Sequence, residues 1–129
     1  MTDLISVMIV DDEKLMLEDL STMIDWEAYG YQIIATAFNG KQALRKYREY
    51  HPQVIFTDIR MPFMDGIEMI SEIRKKDEKV SIVLLTAYED FSYAKAAIRL
   101  GITEYVIKSE ITENSLSELL NRLKANIIK

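Results

Sequence analysis

Three aspartates, a threonine and a lysine, spread over most of the chain, have between them the chemistry of a phosphoryl-accepting site: Asp11, Asp12, Asp58, Thr86 and Lys108. Carboxylates held close together repel and raise one another's pKa. A hard divalent cation removes that conflict, and Mg²⁺ favours one or two carboxylates together with waters and phosphate oxygens. An aspartate can act as a nucleophile and form an acyl phosphate. A metal ion and a lysine ammonium neutralise the equatorial oxygens during phosphoryl transfer. A threonine hydroxyl can donate one further hydrogen bond. Taken singly, each residue has a plainer reading. Asp11 and Asp12 suit helix N-caps, Asp58 suits a turn, and a solvated lysine at a strand end is the default. Thr86 alone carries little signal, and Tyr105 alone reads as a half-buried strand aromatic. The joint reading needs the chain to bring these residues to one place.

The elements that would do so are visible as hydrophobic runs. Strands are expected from Ile5 to Val10, Gln32 to Ala37, Gln53 to Thr57, Val80 to Thr86 and Glu104 to Ile107. Several are almost continuous in Val, Ile, Leu and Met, which suits parallel strands covered on both faces. Helical patterns lie between them, marked by Leu15, Leu20, Met23 and Ile24, by Ala43, Leu44 and Tyr47, by Ile70 and Ile73, and by Ala94, Ala97 and Ile98. The last helix is the clearest, with Leu116, Leu119, Leu120, Leu123 and Ile127 at helical spacing. Thr112 is placed as its N-cap, with Ile111 and Leu116 as a hydrophobic staple. Gly101 falls where the preceding helix should end. Five βα units predict an α/β sandwich with a parallel sheet and right-handed crossovers. In such sheets the site lies at the carboxyl ends of the strands, where strand order reverses. The acidic pair, Asp58, Thr86 and Lys108 then stand, in chain order, at the ends of strands one, three, four and five.

Composition removes other classes. The chain has 129 residues, a formal net charge of −5 and no cysteine. That length fits one domain, and an acidic domain without a basic stripe is a poor partner for nucleic acid. Disulfides, thiolate nucleophiles and cysteine-bound metals are excluded. No secretory signal or membrane-length apolar run is seen, so a cytoplasmic location is expected.

At these residues the sequence resembles the response-regulator receiver family of two-component systems, over essentially the whole chain. The segment Asp58-Ile59-Arg60-Met61-Pro62-Phe63-Met64-Asp65-Gly66 matches the family's phosphorylation loop. The resemblance implies Asp58 as phosphoacceptor. It implies Mg²⁺ held directly by Asp12, by Asp11 from farther out or through water, by Asp58 and by the backbone carbonyl of Arg60. Thr86 matches the switch hydroxyl, Tyr105 the switch aromatic and Lys108 the lysine that pairs with the phosphoryl group. The implied fold is flavodoxin-like, a doubly wound five-stranded parallel sheet of order 2-1-3-4-5 with five helices.

A narrower resemblance, in Ile24-Asp25-Trp26-Glu27-Ala28-Tyr29-Gly30-Tyr31, Asn39-Gly40 and Thr86-Ala87-Tyr88-Glu89-Asp90-Phe91-Ser92-Tyr93-Ala94, is to receivers of AraC-type DNA-binding regulators. It implies a sensor histidine kinase as phosphodonor and a homodimer through helix four, strand five and helix five. Residues 1–129 are then one receiver domain, with a C-terminal DNA-binding effector domain expected outside this chain. The alternative is a free-standing receiver in a phosphorelay that acts by protein–protein contact. One departure stands out: the family usually has a cis proline after the lysine, where this chain has Ser109. A cis bond before a non-proline residue costs about 3 kcal/mol, so Lys108-Ser109 is expected to be trans.

Other residues carry less. His51, the only histidine, is expected on a surface loop, so a phosphohistidine must come from another protein. Trp26 is expected to plug the connection after the first helix, and the methionines mostly to fill the core or pack loops. Tyr88, Phe91 and Tyr93 are read either as local packing or as part of the surface that responds to phosphorylation, and Arg60 and Tyr88 as flanking the site. Aspartate-nucleophile phosphatases of the dehalogenase type carry Asp-x-Asp, and Asp58-Ile59-Arg60 lacks the second aspartate. A nucleotide-binding module needs a glycine-rich phosphate loop, and Gly30, Gly40, Gly66 and Gly101 are far apart.

Overall fold

Strand interiors that are apolar on both faces can be buried only between two layers of helices, and this sets the architecture. The computed structural model describes residues 3–87 and 91–127, apart from the side chains of Phe91 and Ala94. The strands are β1 (Ile5–Val10), β2 (Tyr31–Ala37), β3 (Val54–Asp58), β4 (Ser81–Thr86) and β5 (Glu104–Ile107). All pair in parallel, in the order β2-β1-β3-β4-β5. The helices are α1 (Lys14–Met23), α2 (Gly40–Tyr50), α3 (Gly66–Arg74), α4 (Phe91–Arg99) and α5 (Glu113–Ile127), with 3₁₀ turns at Trp26–Tyr29 and Lys108–Glu110. The fold is the flavodoxin-like one the sequence implies.

Alternation along each strand divides the core in two. Met8, Val10, Ile55, Ile82 and Leu84 face α2, α3 and α4, where Leu44, Met69, Ile70, Ile73 and Ala97 meet them. Val7, Ile9, Phe56, Val83 and Leu85 face α1 and α5, through Leu17, Leu20, Leu116, Leu119, Leu120 and Leu123. Every residue of β3 and β4 is buried. Trp26 closes the end of the second layer. Its indole N–H donates to the Leu20 carbonyl at 3.0 Å, and its ring stands edge-on to Phe56 with centroids 5.5 Å apart.

β1 and β5 have the expected bounds, and three strands differ by one residue at their ends. β2 begins at Tyr31, a fully buried residue whose phenol O–H donates to the Leu120 carbonyl of α5. Gln53 stays outside β3, since its side-chain oxygen accepts the Ser6 N–H at 3.1 Å. β3 instead runs through Asp58, which pairs with Leu85, and β4 starts at Ser81, after Val80.

The caps follow the sequence. Thr112 accepts the Ser115 N–H at 3.0 Å, the Ser115 hydroxyl oxygen accepts the Thr112 N–H at 2.8 Å, and Ile111 and Leu116 share one core cluster. Gly101 ends α4 at φ 74°, where Arg74 of α3 also donates to the Leu100 and Gly101 carbonyls, each at 2.8 Å. His51 is exposed and closes α2 in a left-handed conformation, φ 48°. Lys108-Ser109 is trans, as no cis peptide occurs among the described residues.

β1 sits between β2 and β3, so successive crossovers leave it in opposite directions and open a crevice at the carboxyl ends of β1 and β3. One glycine lets the loop after β3 fold back onto that strand. A Cβ on Gly66 would stand 2.1 Å from the Asp58 carbonyl oxygen, and the Gly66 N–H donates to the Ile59 carbonyl at 2.7 Å. Gly101 differs, because its φ of 74° is the constraint and its nearest neighbour to an added Cβ is 3.9 Å away. Gly101→Ala is therefore expected to cost about 1 kcal/mol, the penalty of a left-handed alanine. Gly66→Ala is expected to cost more, near the upper end of the about 1–3 kcal/mol typical of overpacking. Urea unfolding of the two variants should show that order, and equal losses would refute the steric account.

Candidate functional site

The crevice collects charge because three chain segments end there. Asp11 follows β1 directly, continues the ladder through its N–H to the Ala37 carbonyl at 3.0 Å, and is fully buried. Its Oδ1 accepts the Glu13 N–H at 2.9 Å, while Asp12 is exposed. Neither aspartate caps α1, whose N-cap residue is Glu13. Asp58 ends β3, is 6% exposed, and its Oδ1 accepts the Ile59 N–H at 2.8 Å. Lys108 opens the 3₁₀ turn after β5 and reaches back over the crevice. Its ammonium lies 2.9 Å from Asp11 Oδ2, 3.0 Å from Asp58 Oδ2 and 3.8 Å from Glu13 Oε1.

The electrostatics are unbalanced. Burial pushes the Asp58 carboxyl up to about 6; Lys108 pulls it back, the Asp11 charge raises it further, and the Ile59 N–H lowers it. Burial acts to lower Lys108, but hydrogen bonding and charge from Asp11 and Asp58 outweigh it and hold the ammonium above its usual range. Asp11 Oδ2 is buried without a well-aligned hydrogen bond, and its partner is the Lys108 ion pair. Carboxylate oxygens of Asp11, Asp12 and Glu13 lie within 4.8 Å of one another, a spacing that could hold a metal ion. Three carboxylates thus face one ammonium, with Asp12 beside two of them.

The other expected residues take up flanking places. Thr86 ends β4 beside Leu85, the partner of Asp58, and is 1% exposed. Its hydroxyl donates to the Ala87 carbonyl at 2.9 Å. Tyr105 sits on β5 opposite Leu84, 37% exposed, and lines a cavity of about 330 Å³ between β5 and α5. Tyr88 lies outside the described residues, as does the side chain of Phe91. Tyr93 is exposed, and the Arg60 guanidinium lies 5.5 Å from the centre of its ring. Sequence reasoning missed that pairing, since the two residues are 33 positions apart on different elements. It also left Glu13 without a role, although the residue adjoins the aspartate pair.

The loop that carries Asp58 is fastened at several points. The Gly40 N–H donates to the Met64 carbonyl at 2.9 Å, and a Cβ on Gly40 would meet that oxygen at 2.5 Å. Asp65 and Glu68 form a capping box at the start of α3. Phe63, at the tip, has φ 68° and is 81% exposed.

The family model for the response regulator receiver domain matches residues 7–121. An uncharacterized transcriptional regulatory protein of Bacillus subtilis, YesN, is 32% identical over 121 residues, covering 92% of this chain and 33% of the relative. The chain spans a third to about a half of the length of the curated relatives it matches. Among solved structures, the REC domain of AraT, a response regulator from Geobacillus stearothermophilus, aligns with a TM-score of 0.90 at 31% identity, over 98% of this chain and 96% of that one. A two-component transcriptional regulator AraC from Clostridium phytofermentans aligns with a TM-score of 0.85 at 34% identity, over 96% of this chain and 95% of that one. Fold, charge constellation and these matches agree: the chain belongs to the response regulator receiver domain family.

Proposed function

We propose that this receiver is a phosphorylation-driven switch in which Asp58 accepts a phosphoryl group from the phosphohistidine of a sensor kinase. The observation that carries the reading is the Lys108 ammonium held within 3.0 Å of both Asp11 and Asp58 at the strand-order reversal. Asp58 attacks phosphorus, the nitrogen–phosphorus bond of the donor breaks, and the imidazole takes up a proton. The acyl phosphate stays on Asp58 until water hydrolyses it, so the domain is not a turnover enzyme.

The donor set fits Mg²⁺: hard carboxylate oxygens, one of them buried without a well-aligned hydrogen bond. Asp11, Asp12, Asp58 and the Arg60 backbone carbonyl would hold it. When bound, the ion offsets the negative charge of these groups and of the phosphoryl oxygens. Lys108 then pairs with a phosphoryl oxygen, and the Thr86 hydroxyl leaves the Ala87 carbonyl to donate to another. Tyr105 turns inward as Thr86 moves. Phosphorylation shifts an existing two-state equilibrium toward this arrangement.

The face that reports the change is α4, β5 and α5, where Tyr93, Ile98 and Tyr105 are exposed. Large exposed apolar side chains are candidate points of protein contact, here for a homodimer of the phosphorylated form. Because longer transcriptional regulators are among the relatives, the readout proposed for the full protein is a C-terminal DNA-binding effector domain. No helix among the described residues is long and apolar enough to cross a membrane, and a cytoplasmic location is part of the proposal.

Two measurements test the reading. Incubation with Mg²⁺ and acetyl phosphate should give one phosphoryl adduct by intact mass, lost in Asp58→Asn and suppressed by EDTA. Persistence of the adduct in Asp58→Asn would refute Asp58 as acceptor.

The second uses pH in EDTA. Asp58 has a folded-state pKa of about 6 against an ordinary value of 3.8. Between those values the folded state binds more protons than the unfolded one, so this group's contribution to stability falls as pH rises. Two pKa units correspond to about 3 kcal/mol. Asp58→Asn should therefore stabilise the metal-free domain by up to about 3 kcal/mol at pH 8, with the gain shrinking toward zero near 3.8. Urea melts across this range check it, and a pH-independent difference would count against the burial argument.

A further inference from the structure

Lys108 is shared by three carboxylates whose freedom to move differs. Asp11 is 0% and Asp58 8% exposed at the side chain, and both are fixed by backbone N–H groups, from Glu13 and Ile59. Glu13 is 70% exposed, with Oε1 3.8 Å from the ammonium. It occupies the N-cap position of α1, yet its side chain makes no capping hydrogen bond, so the carboxylate is not committed to the helix. The Lys108 side chain is 19% exposed, so the ammonium lies in a crevice that is not fully closed.

We infer that Glu13 is a positioning residue for Lys108, holding the ammonium at the mouth of the crevice when a divalent cation claims Asp11 and Asp58. The inference rests on the Mg²⁺ site proposed above. Cation and ammonium compete for the same buried oxygens, and an ammonium displaced without a partner would be left half-buried and unpaired, which is costly. Glu13 is the one of the three carboxylates that can follow Lys108 outward by rotation of its own side chain. It thereby eases cation entry and keeps Lys108 close to the position an incoming phosphoryl group will occupy. Asp12 also faces this region but is assigned to the cation, so it is not free to serve Lys108.

The test is a double-mutant cycle read by calorimetric Mg²⁺ binding to the intact domain. Titrations are run in about 0.5 M potassium chloride, where through-space attraction between exposed charges is largely screened. Glu13→Gln is expected to weaken Mg²⁺ about tenfold when Lys108 is present and less than about twofold in a Lys108→Met background. Equal weakening in both backgrounds would overturn the inference, since Glu13 would then act on the cation directly. A second measurement does not depend on the Lys108 variant folding. The side-chain ammonium resonance of Lys108 in the Mg²⁺-loaded domain should be protected from exchange with water in the wild type and lost in Glu13→Gln. An unchanged resonance would also overturn the inference. Absence of Mg²⁺ binding to the wild type would instead remove the metal site, and the inference with it.

Discussion

Two carboxylates buried at the ends of adjacent parallel strands cannot both remain ionised without a cation between them. Lys108 meets that requirement from just beyond the end of β5, 2.9 Å from Asp11 and 3.0 Å from Asp58. The rest of the structure serves this arrangement. The strand order makes β1 and β3 neighbours, so their ends share one crevice. The apolar rows on both faces fix strand register, because a one-residue slip would turn each side chain to the other layer. Gly66 lets the backbone after α3's cap close over Asp58, and Gly40 lets α2 receive Met64. Without these close approaches the loop would stand away from the strand end and leave Asp58 more open to solvent.

A buried ion pair is poor evidence for stability. Desolvation of the charges tends to offset their attraction, and here the negative charge is in excess. The raised pKa of Asp58 comes first from burial, and the Asp11 charge adds to it against the pull of Lys108. Such a site suits a group that must be ionised at neutral pH and reactive as a nucleophile, with little solvent competing for it. Under the proposed function it also suits a switch. Thr86 bonds to the neighbouring Ala87 carbonyl and Lys108 to two carboxylates, so both can exchange their partners for phosphoryl oxygens with no loss of hydrogen bonds.

How much of this was legible in the sequence depends on the range of the interaction. The strands and the last helix were readable because hydrophobic period is local, and β1 and β5 match to the residue. Strand ends were less so. Gln53 falls outside β3 because its side chain answers Ser6, 47 residues away, and Tyr31 joins β2 through a bond to Leu120. The site residues were readable as a set because topology places each at a strand end, and Asp11, Asp12, Asp58 and Lys108 do converge. The Arg60–Tyr93 pair was hidden, since no spacing links a loop after β3 to the exposed side of α4. Glu13 was visible as an acidic neighbour, but its relation to Lys108 needs the reach of a side chain from β5.

The departure at Ser109 shows which parts of the site are independent. A cis proline after the lysine is the family's usual way of turning the chain, and this chain has a trans bond before serine. The Lys108 ammonium nevertheless reaches both carboxylates. The reason lies in the element that follows: residues 108–110 form a 3₁₀ turn, closed by the Ile111 N–H to the Lys108 carbonyl at 3.3 Å. α5 then starts under the Thr112–Ser115 cap, with Ile111 and Leu116 packed in the second core layer. The position of Lys108 is thus fixed from both sides, by the β4–β5 ladder before it and by the docking of α5 after it. What the crevice requires is a lysine stem anchored at the end of β5. The isomer of the next peptide bond is one way to supply that anchor, and the 3₁₀ turn with its packed staple is another.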